Sequence, residues 1–221
     1  MHPKITVIIP AYNEALSIAK VLQVSPEMVS EVIVVDNGST DNTALVAEKA
    51  GATVYQEPRK GYGYACLKGL EKCSKNPPDI VVFLDGDYSD YPEQLTEIVA
   101  PIIENKADFV VGARVAHLRE RGAMTFPQIF GNAMATTLMK WFFGARFTDL
   151  GPFRAIRYEK LMALGMTDKT YGWTVEMQLK VLKQKISYLE IPVKYRNRIG
   201  VSKVSGTIKG AIFAGVKILY W

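Results

Sequence analysis

The 221-residue sequence is poor in cysteine and histidine, with two of each. Cys66 and Cys73 lie seven apart in a stretch that reads as one helix, so a disulfide framework is excluded, and no Cys/His spacing suits zinc. A reducing cytosol is the expected compartment. His2 and His117 lack partners at useful spacing, and no Ser/His/Asp or Cys/His set for nucleophilic catalysis is visible. Long apolar runs are also missing. Met1-His2-Pro3-Lys4 leads directly into an apolar strand without the pattern of a secretory signal. The longest uncharged stretch, Gly122 to Met139, holds Pro127, Gln128 and Asn132 and is too polar to span a bilayer. The run Gly210 to Trp221 is apolar but short and contains Lys217, so it suits a membrane surface and not a crossing. Low-complexity linkers and internal repeats are absent as well, so one domain over 1–221 is expected.

What the chain has is 48% apolar residues and a net charge of +5 that is unevenly divided. Residues 1–110 carry 9 cations and 16 anions, and residues 111–221 carry 18 and 6. An acidic first half joined to a basic second half suggests a metal or sugar site on one side and an anionic partner on the other. Basic charge without aromatic interleaving or a recognition-helix pattern argues against nucleic acid.

Short β-branched runs alternate with helical patterns. The spacing predicts strands at Ile5–Ile9, Glu31–Val35, Ala52–Gln56, Ile80–Leu84 and Phe109–Val111. Helices are predicted over Glu14–Leu22, Thr43–Ala50, Tyr64–Cys73 and Pro92–Glu104. Near-continuous apolar strands separated by single helices imply an α/β fold with a Rossmann-like, mostly parallel central sheet covered on both faces. After Arg114 the rhythm breaks. A Phe/Met-rich stretch from Phe126 to Phe143, read as core more than lipid contact, precedes a strand near Phe153–Ile156, a helix over Thr174–Leu182 and a strand at Tyr188–Val193.

In such sheets ligands sit at the carboxyl ends of the strands, and three of those ends are polar here. Asp85-Gly86-Asp87 fits two readings: a turn, or two hard-oxygen ligands for Mg²⁺ or Mn²⁺ completed by phosphate and water. In Asp36-Asn37-Gly38-Ser39-Thr40-Asp41, capping explains the hydroxyls, while Asp36 at the strand tip could accept from a base or ribose. Pro10-Ala11-Tyr12-Asn13-Glu14 is either a helix start or a nucleoside wall. Gly61-Tyr62-Gly63 lacks a third glycine at Cys66, which argues against a dinucleotide site, and with Arg59-Lys60 it suits a mobile phosphate loop or a solvated turn. The run Arg196 to Lys203 gathers three cations and a hydroxyl, suited to a diphosphate or an anionic acceptor, or else to a solvated face. Glu176 stands among apolar neighbours one turn into a helix. It is either a proton acceptor with a raised pKa or a first-turn dipole partner.

Taken in order, the segments 9–14, 34–41, 59–63, 85–87, 111–114 (Val-Gly-Ala-Arg), 153–157 (Phe-Arg-Ala-Ile-Arg) and 198–203 (Arg-x-Gly-x-Ser-Lys) resemble the family-2 glycosyltransferases of GT-A fold. Within them the sequence is similar to the branch of dolichyl-phosphate mannose and polyprenyl-phosphate sugar synthases. The resemblance implies an inverting transfer from a UDP- or GDP-sugar, with residues 1–114 forming the nucleotide-sugar and metal half and 115–221 the acceptor half. It places Pro10, Ala11, Tyr12, Asn13, Glu14, Asp36, Gly38, Lys60, Gly61, Asp85 and Gly86 on the nucleotide-sugar, with Asp85 and Asp87 on Mg²⁺ or Mn²⁺. Arg114, Arg198, Ser202 and Lys203 would serve the diphosphate and an acceptor phosphate. Catalysis would fall to Asp87, Arg198 and Lys203, with Glu176 as base only for a hydroxyl acceptor. The implied partner is a lipid phosphate met as a peripheral protein on the inner face of the cytoplasmic membrane. Two departures bear on that acceptor: Ser89 stands where Gln is usual, and Gln128–Asn132 lacks the customary Arg. The Gln-x-x-Arg-Trp motif of processive synthases is absent. The alternatives are the same donor chemistry onto a glycan hydroxyl, a sugar-phosphate nucleotidyltransferase and a non-catalytic nucleotide-sugar binder.

Overall fold

The computed structural model describes residues 3–200. Ser202, Lys203 and the run from Gly210 to Trp221 lie outside the described residues. Seven strands form one sheet: β1 (Ile5–Ala11), β2 (Glu31–Asp36), β3 (Thr53–Gln56), β4 (Ile80–Phe83), β5 (Phe109–Ala113), β6 (Arg154–Arg157) and β7 (Tyr188–Pro192), in the order β3-β2-β1-β4-β6-β5-β7. The first four are mutually parallel, with β1 and β4 buried and apolar as a covered parallel sheet expects and β3 the more exposed edge. The strand expected near Phe153 is β6, and it runs antiparallel to both β4 and β5. It therefore lies inside the set of first-half strands, so the sheet does not divide at Arg114. Strand β7 then pairs parallel with β5 at the edge, where its Pro192 is tolerated.

Seven α-helices cover the two faces among the described residues: α1 (Ile18–Gln23), α2 (Thr43–Lys49), α3 (Tyr62–Cys73), α4 (Leu95–Ile103), α5 (Phe126–Phe143), α6 (Tyr158–Leu164) and α7 (Trp173–Lys183). Alternation along β4 divides the core. Val81 and Phe83 pack under α3, α5, α6 and α7, while Ile80 and Val82 pack under α1, α2 and α4. Helix α3 lies close on β1, because a Cβ at Gly69 would stand 2.6 Å from a methyl of Ile8.

Two expected boundaries shift. The first helix begins at Ile18 rather than Glu14: Asn13 has φ 54°, and the Glu14 carbonyl accepts from the Ser17 and Ile18 amides, so residues 14–17 form a turn. Helix α3 begins at Tyr62, so Tyr62 and Gly63 belong to a helix and not to a mobile loop. The Phe126–Phe143 stretch is one helix of 18 residues that buries Gly131, Ala135, Thr136 and Met139 but leaves most of its large aromatics outside. The reading of that stretch as mainly core is corrected. No helix of the described residues is long and apolar enough to cross a membrane.

Candidate active site

The carboxyl ends of β1, β2 and β4 meet the start of α3 around a cleft of about 290 Å³. One wall is Pro10, Ala11, Tyr12 and Glu14, which continue from β1. The Ala11 carbonyl accepts from the Asn37 amide, the Asn13 amide donates to Ser39 Oγ, and the Glu14 amide donates to Thr43 Oγ1. The hydroxyl-rich segment after β2 thus fixes the one after β1. Asp36 lies behind this wall: it is buried, and its Oδ1 accepts from the Ser39 amide at 3.0 Å. Neither Asp36, Asn13 nor Gly38 lines the cleft. Gly38 takes φ 76° to turn the chain away, a conformation that favours glycine.

Asn37 lines the cleft in place of Asp36. Its Nδ2 donates to the Glu57 and Arg59 carbonyls at 2.9 and 2.7 Å, and its Oδ1 accepts from the Gly61 amide at 2.8 Å. One amide therefore holds the whole crossing from β3 to α3. Arg59 turns away into a chelate with Glu57, so it is no phosphate ligand in this arrangement. Lys60 stays on the cleft and donates to Tyr12 Oη at 3.0 Å while lying 4.7 Å from its ring centre.

The start of α3 is clamped from behind. The Gly63 and Tyr64 amides donate to the Thr170 and Lys169 carbonyls, and a Cβ at Gly63 would fall 2.0 Å from the Asp168 carbonyl oxygen. Glu176 secures that clamp. Its buried carboxylate accepts from the Thr167 and Asp168 amides and the Thr167 hydroxyl and pairs with Lys180 at 2.9 Å. The carboxylate is thus engaged by several donors and lies outside the cleft lining. Glu176, expected as a base only for a hydroxyl acceptor, stands here as an anchor of the 167–168 backbone.

The opposite wall is the turn after β4. Tyr62 Oη donates to Asp85 Oδ1 at 3.2 Å. Asp87 Oδ1 accepts from the Ser89 amide and hydroxyl at 2.9 and 2.5 Å, while its Oδ2 pairs with Arg198 Nη2 at 3.0 Å. Burial, then the Asp87 charge, pushes the Asp85 carboxyl up to about 7, against the pull of Arg198. Two crowded, dehydrated carboxylates with Gly86 between them form an oxygen donor set whose repulsion a divalent cation relieves. Among the described residues no set of three or more His, Cys, Asp or Glu side chains is placed to hold a metal. An ion on Asp85 and Asp87 would draw its other ligands from phosphate and water, as Mg²⁺ and Mn²⁺ do.

Arg198 comes from after β7 yet closes this wall. The Ile199 amide donates to the Asp87 carbonyl, and Arg198 Nη2 also reaches Glu14 Oε1 at 3.5 Å. Its Nε is buried without a hydrogen-bond partner among the described residues, while the side chain as a whole lines the cleft. Arg196 has a different task. It lies between the Tyr88 and Tyr91 rings, 3.4 and 4.0 Å from their centres, and donates to the Tyr88 and Asp90 carbonyls.

Arg114 departs from expectation. Its Nε and Nη2 grip Asp149 at 2.8 and 2.7 Å, its amide donates to the same carboxylate, and its guanidinium lies over Tyr195. It does not line the cleft, and its charge is already matched. Arg114 braces the loop after β5, which corrects the expectation of a phosphate-facing cation.

Sequence reasoning missed Asn37, Tyr62 and two buried groups. Arg154 is wholly buried and donates to the Leu150, Gly151 and Thr174 carbonyls, and burial lowers its pKa to about 10. Asp90 is buried with both carboxyl oxygens unpartnered among the described residues; burial, then the charges of Asp85 and Asp87, raises its pKa well above the usual range. An Asn directly after a strand-end Asp was the available signal for Asn37. None marked the others.

Residues 6–165 match the family described as glycosyl transferase family 2. An uncharacterized glycosyltransferase of Mycobacterium tuberculosis is 34% identical over 215 residues, which cover 95% of this chain and 94% of that one. The polyprenol monophosphomannose synthase of Mycolicibacterium smegmatis is 26% identical over 232 residues, covering 97% and 85%. The crystal structure of glucosyl-3-phosphoglycerate synthase from Mycobacterium tuberculosis in complex with Mn²⁺, UDP and phosphoglyceric acid superposes with a TM-score of 0.76. The identity is 21%, over 98% of this chain and 76% of that one, a likeness of fold.

Proposed function

The chain belongs to glycosyl transferase family 2, and on that premise we propose that it moves a sugar, with inversion, from a nucleoside-diphosphate sugar to a polyprenyl phosphate. The fold is GT-A and the protein is a glycosyltransferase; the acceptor and the roles of individual residues are our reading. The observation that carries it is the Asp85/Asp87 pair beside Arg198 on one wall of the cleft, with aromatic side chains at Tyr12 and Tyr62. Residues 10–12, Asn37 and Lys60 enclose the nucleoside. Asp85 and Asp87 would hold Mg²⁺ or Mn²⁺, which when bound would neutralise diphosphate charge, and Arg198 adds a fixed cation beside them.

An acceptor phosphate arrives already ionised. Its oxygen forms the new bond to the anomeric carbon as the bond to the donor diphosphate breaks, and the nucleoside diphosphate leaves without any proton having to move. A sugar hydroxyl would need a base. The engagement of Glu176 with Thr167, Asp168 and Lys180 therefore favours the phosphate. The polyprenol monophosphomannose synthase, similar along most of its length, supports the same choice. A protein acting on such an acceptor would work as a peripheral protein at the inner membrane face.

The test has two stages. Calorimetry with UDP and GDP, with and without Mn²⁺, is expected to show metal-dependent binding that Asp87→Asn removes. The matching nucleotide-sugar, offered to a polyprenyl phosphate and to soluble glycans, is expected to give a glycolipid that excess EDTA suppresses. Transfer to the soluble glycan alone would replace the acceptor, and pyrophosphate release from a nucleoside triphosphate and a sugar phosphate would replace the reaction.

A further inference from the structure

Helix α5 leaves one long face, apolar except at Thr137, largely exposed among the described residues. Positions 126, 129, 130, 133, 137 and 141 fall on one side at helical spacing, opposite the buried Gly131, Ala135 and Met139. Phe126 is 78% exposed and Trp141 74%, with Phe130 also outside. Phe126 and Phe130 stack on each other, 6.4 Å between centres, rather than on the core. The face is held rigid. Thr125 and Gln128 form a capping box at its start, and Gly144 closes its end in the left-handed conformation. Asn132 clips its middle to the Thr148 carbonyl and the Leu150 amide.

Its electrostatic setting narrows the occupant. From Arg121 to Thr148 the sequence has no Asp or Glu but carries Arg121, Lys140 and Arg146, all exposed. After Glu190 there is again no acid, while six cations follow. The two stretches meet in space, because Asn197 Nδ2 donates to the Arg121 carbonyl at 3.3 Å. A second copy, or the chain's own segment beyond Gly200 with Lys203, Lys209 and Lys217, would bring like charge against like. A surface of anionic headgroups over an apolar layer matches both the cations and the aromatics.

We propose that α5 is the membrane-docking element of this protein, lying in the plane of an anionic bilayer with Phe126, Phe130 and Trp141 inserted below the headgroups. An 18-residue helix is about 27 Å long, and it lies on the bilayer rather than across it. Docked so, the Arg198 side of the cleft is brought towards the lipid surface, since Asn197 is hydrogen-bonded to Glu120 and Arg121 in the segment that leads into α5. The inference deepens the proposed lipid-phosphate reading and rests on it for its purpose, but vesicle binding by itself needs neither donor nor acceptor.

The test is flotation of the whole protein with vesicles of phosphatidylcholine, with and without phosphatidylglycerol. The wild type is expected to float with the anionic vesicles. Joint Phe126→Ser, Phe130→Ser and Trp141→Ser changes are expected to weaken that partitioning by more than about tenfold. The same protein should keep its thermal midpoint, its Mn²⁺-dependent nucleotide binding and its turnover of detergent-dispersed polyprenyl phosphate. As a check that survives poor folding of the triple variant, brominated lipid should quench wild-type tryptophan emission, and Trp141→Phe should remove most of that quenching. Unchanged flotation of the triple variant, unchanged quenching, or no wild-type flotation overturns the inference. So does a wild-type dimer that the triple variant converts to a monomer. Failure of docking with intact transfer to dispersed polyprenyl phosphate leaves the acceptor reading standing; docking with transfer only to soluble glycans does the reverse.

Discussion

Arg198 Nη2 stands 3.0 Å from Asp87 Oδ2, a contact between residues 111 positions apart that brings a cation of the basic half onto the acidic turn after β4. Arg198 is therefore counter-charge to Asp87 on the lining of the cleft, and we propose that its guanidinium also meets the diphosphate. Arg198→Ala is expected to lower kcat/KM by about 10²- to 10³-fold, the usual cost of one charge-stabilising donor. Arg198→Lys should recover only part of that, because a point charge cannot serve Asp87 and a phosphate through separate nitrogens. Steady-state kinetics with the donor identified by calorimetry check this, and activity within threefold of wild type would discard the role.

Asn37 has no chemistry to offer, yet three main-chain groups depend on its amide. Asn37→Ala leaves the Gly61 amide and the Glu57 and Arg59 carbonyls unsatisfied, at about 1–3 kcal/mol. The donor KM should rise about tenfold as the wall from Lys60 to Tyr62 loosens, with kcat falling less. Asn37→Asp should fail to rescue, since it removes the two donated bonds and sets a carboxylate against two carbonyls. A changed kcat with an unchanged KM would point instead to contact with the reacting atoms.

These long-range contacts mark the limit of what the sequence discloses. The parallel strands were legible because a strand buried on both faces is a short unbroken run such as Ile80-Val81-Val82-Phe83, whoever its neighbours are. The polar strand ends were legible for a similar reason, since Asp85-Gly86-Asp87 has no core role to explain it. The partner choices were not. Nothing local in Arg114 distinguishes a phosphate ligand from the mate of Asp149, 35 residues away. The antiparallel insertion of β6 is a matter of pairing order, which periodicity does not encode. The outward face of α5 carries as many aromatics as a buried one, so composition could not tell which side they took.

The Arg114–Asp149 pair predicts an acid limb in stability. Burial acts to raise the Asp149 pKa, but the Arg114 charge and its hydrogen bonds prevail and hold the carboxyl below its usual range. A folded pKa below the unfolded value of about 3.9 contributes stability that is full above that value and lost as the pH falls through the folded one. Asp149→Asn is expected to cost about 3–5 kcal/mol near neutral pH by leaving Arg114 buried and unmatched. It should also flatten the fall in thermal midpoint below about pH 4. An equally steep acid limb in the variant would assign that limb to other carboxylates.

Glu176 separates two accounts of the chemistry. If it holds the 167–170 segment, its effect reaches the cleft only through the backbone contacts of Gly63 and Tyr64 with Lys169 and Thr170, and thence through Tyr62 to Asp85. Glu176→Gln keeps the shape, loses the ion pair with Lys180 and sets an amide NH₂ against donors, at about 1–3 kcal/mol. A chain of this size would then melt roughly 2–12 °C lower, at 2–4 °C per kcal/mol. At a temperature where the variant is folded, kcat should stay within tenfold of wild type with an unchanged pH profile, because a phosphate acceptor has no proton to give up. A general base would behave otherwise, with kcat down by about 10²- to 10⁴-fold, the acid-side fall of kcat with pH gone and the melting temperature little changed. That pattern would return the acceptor to a sugar hydroxyl and Glu176 to the reacting atoms.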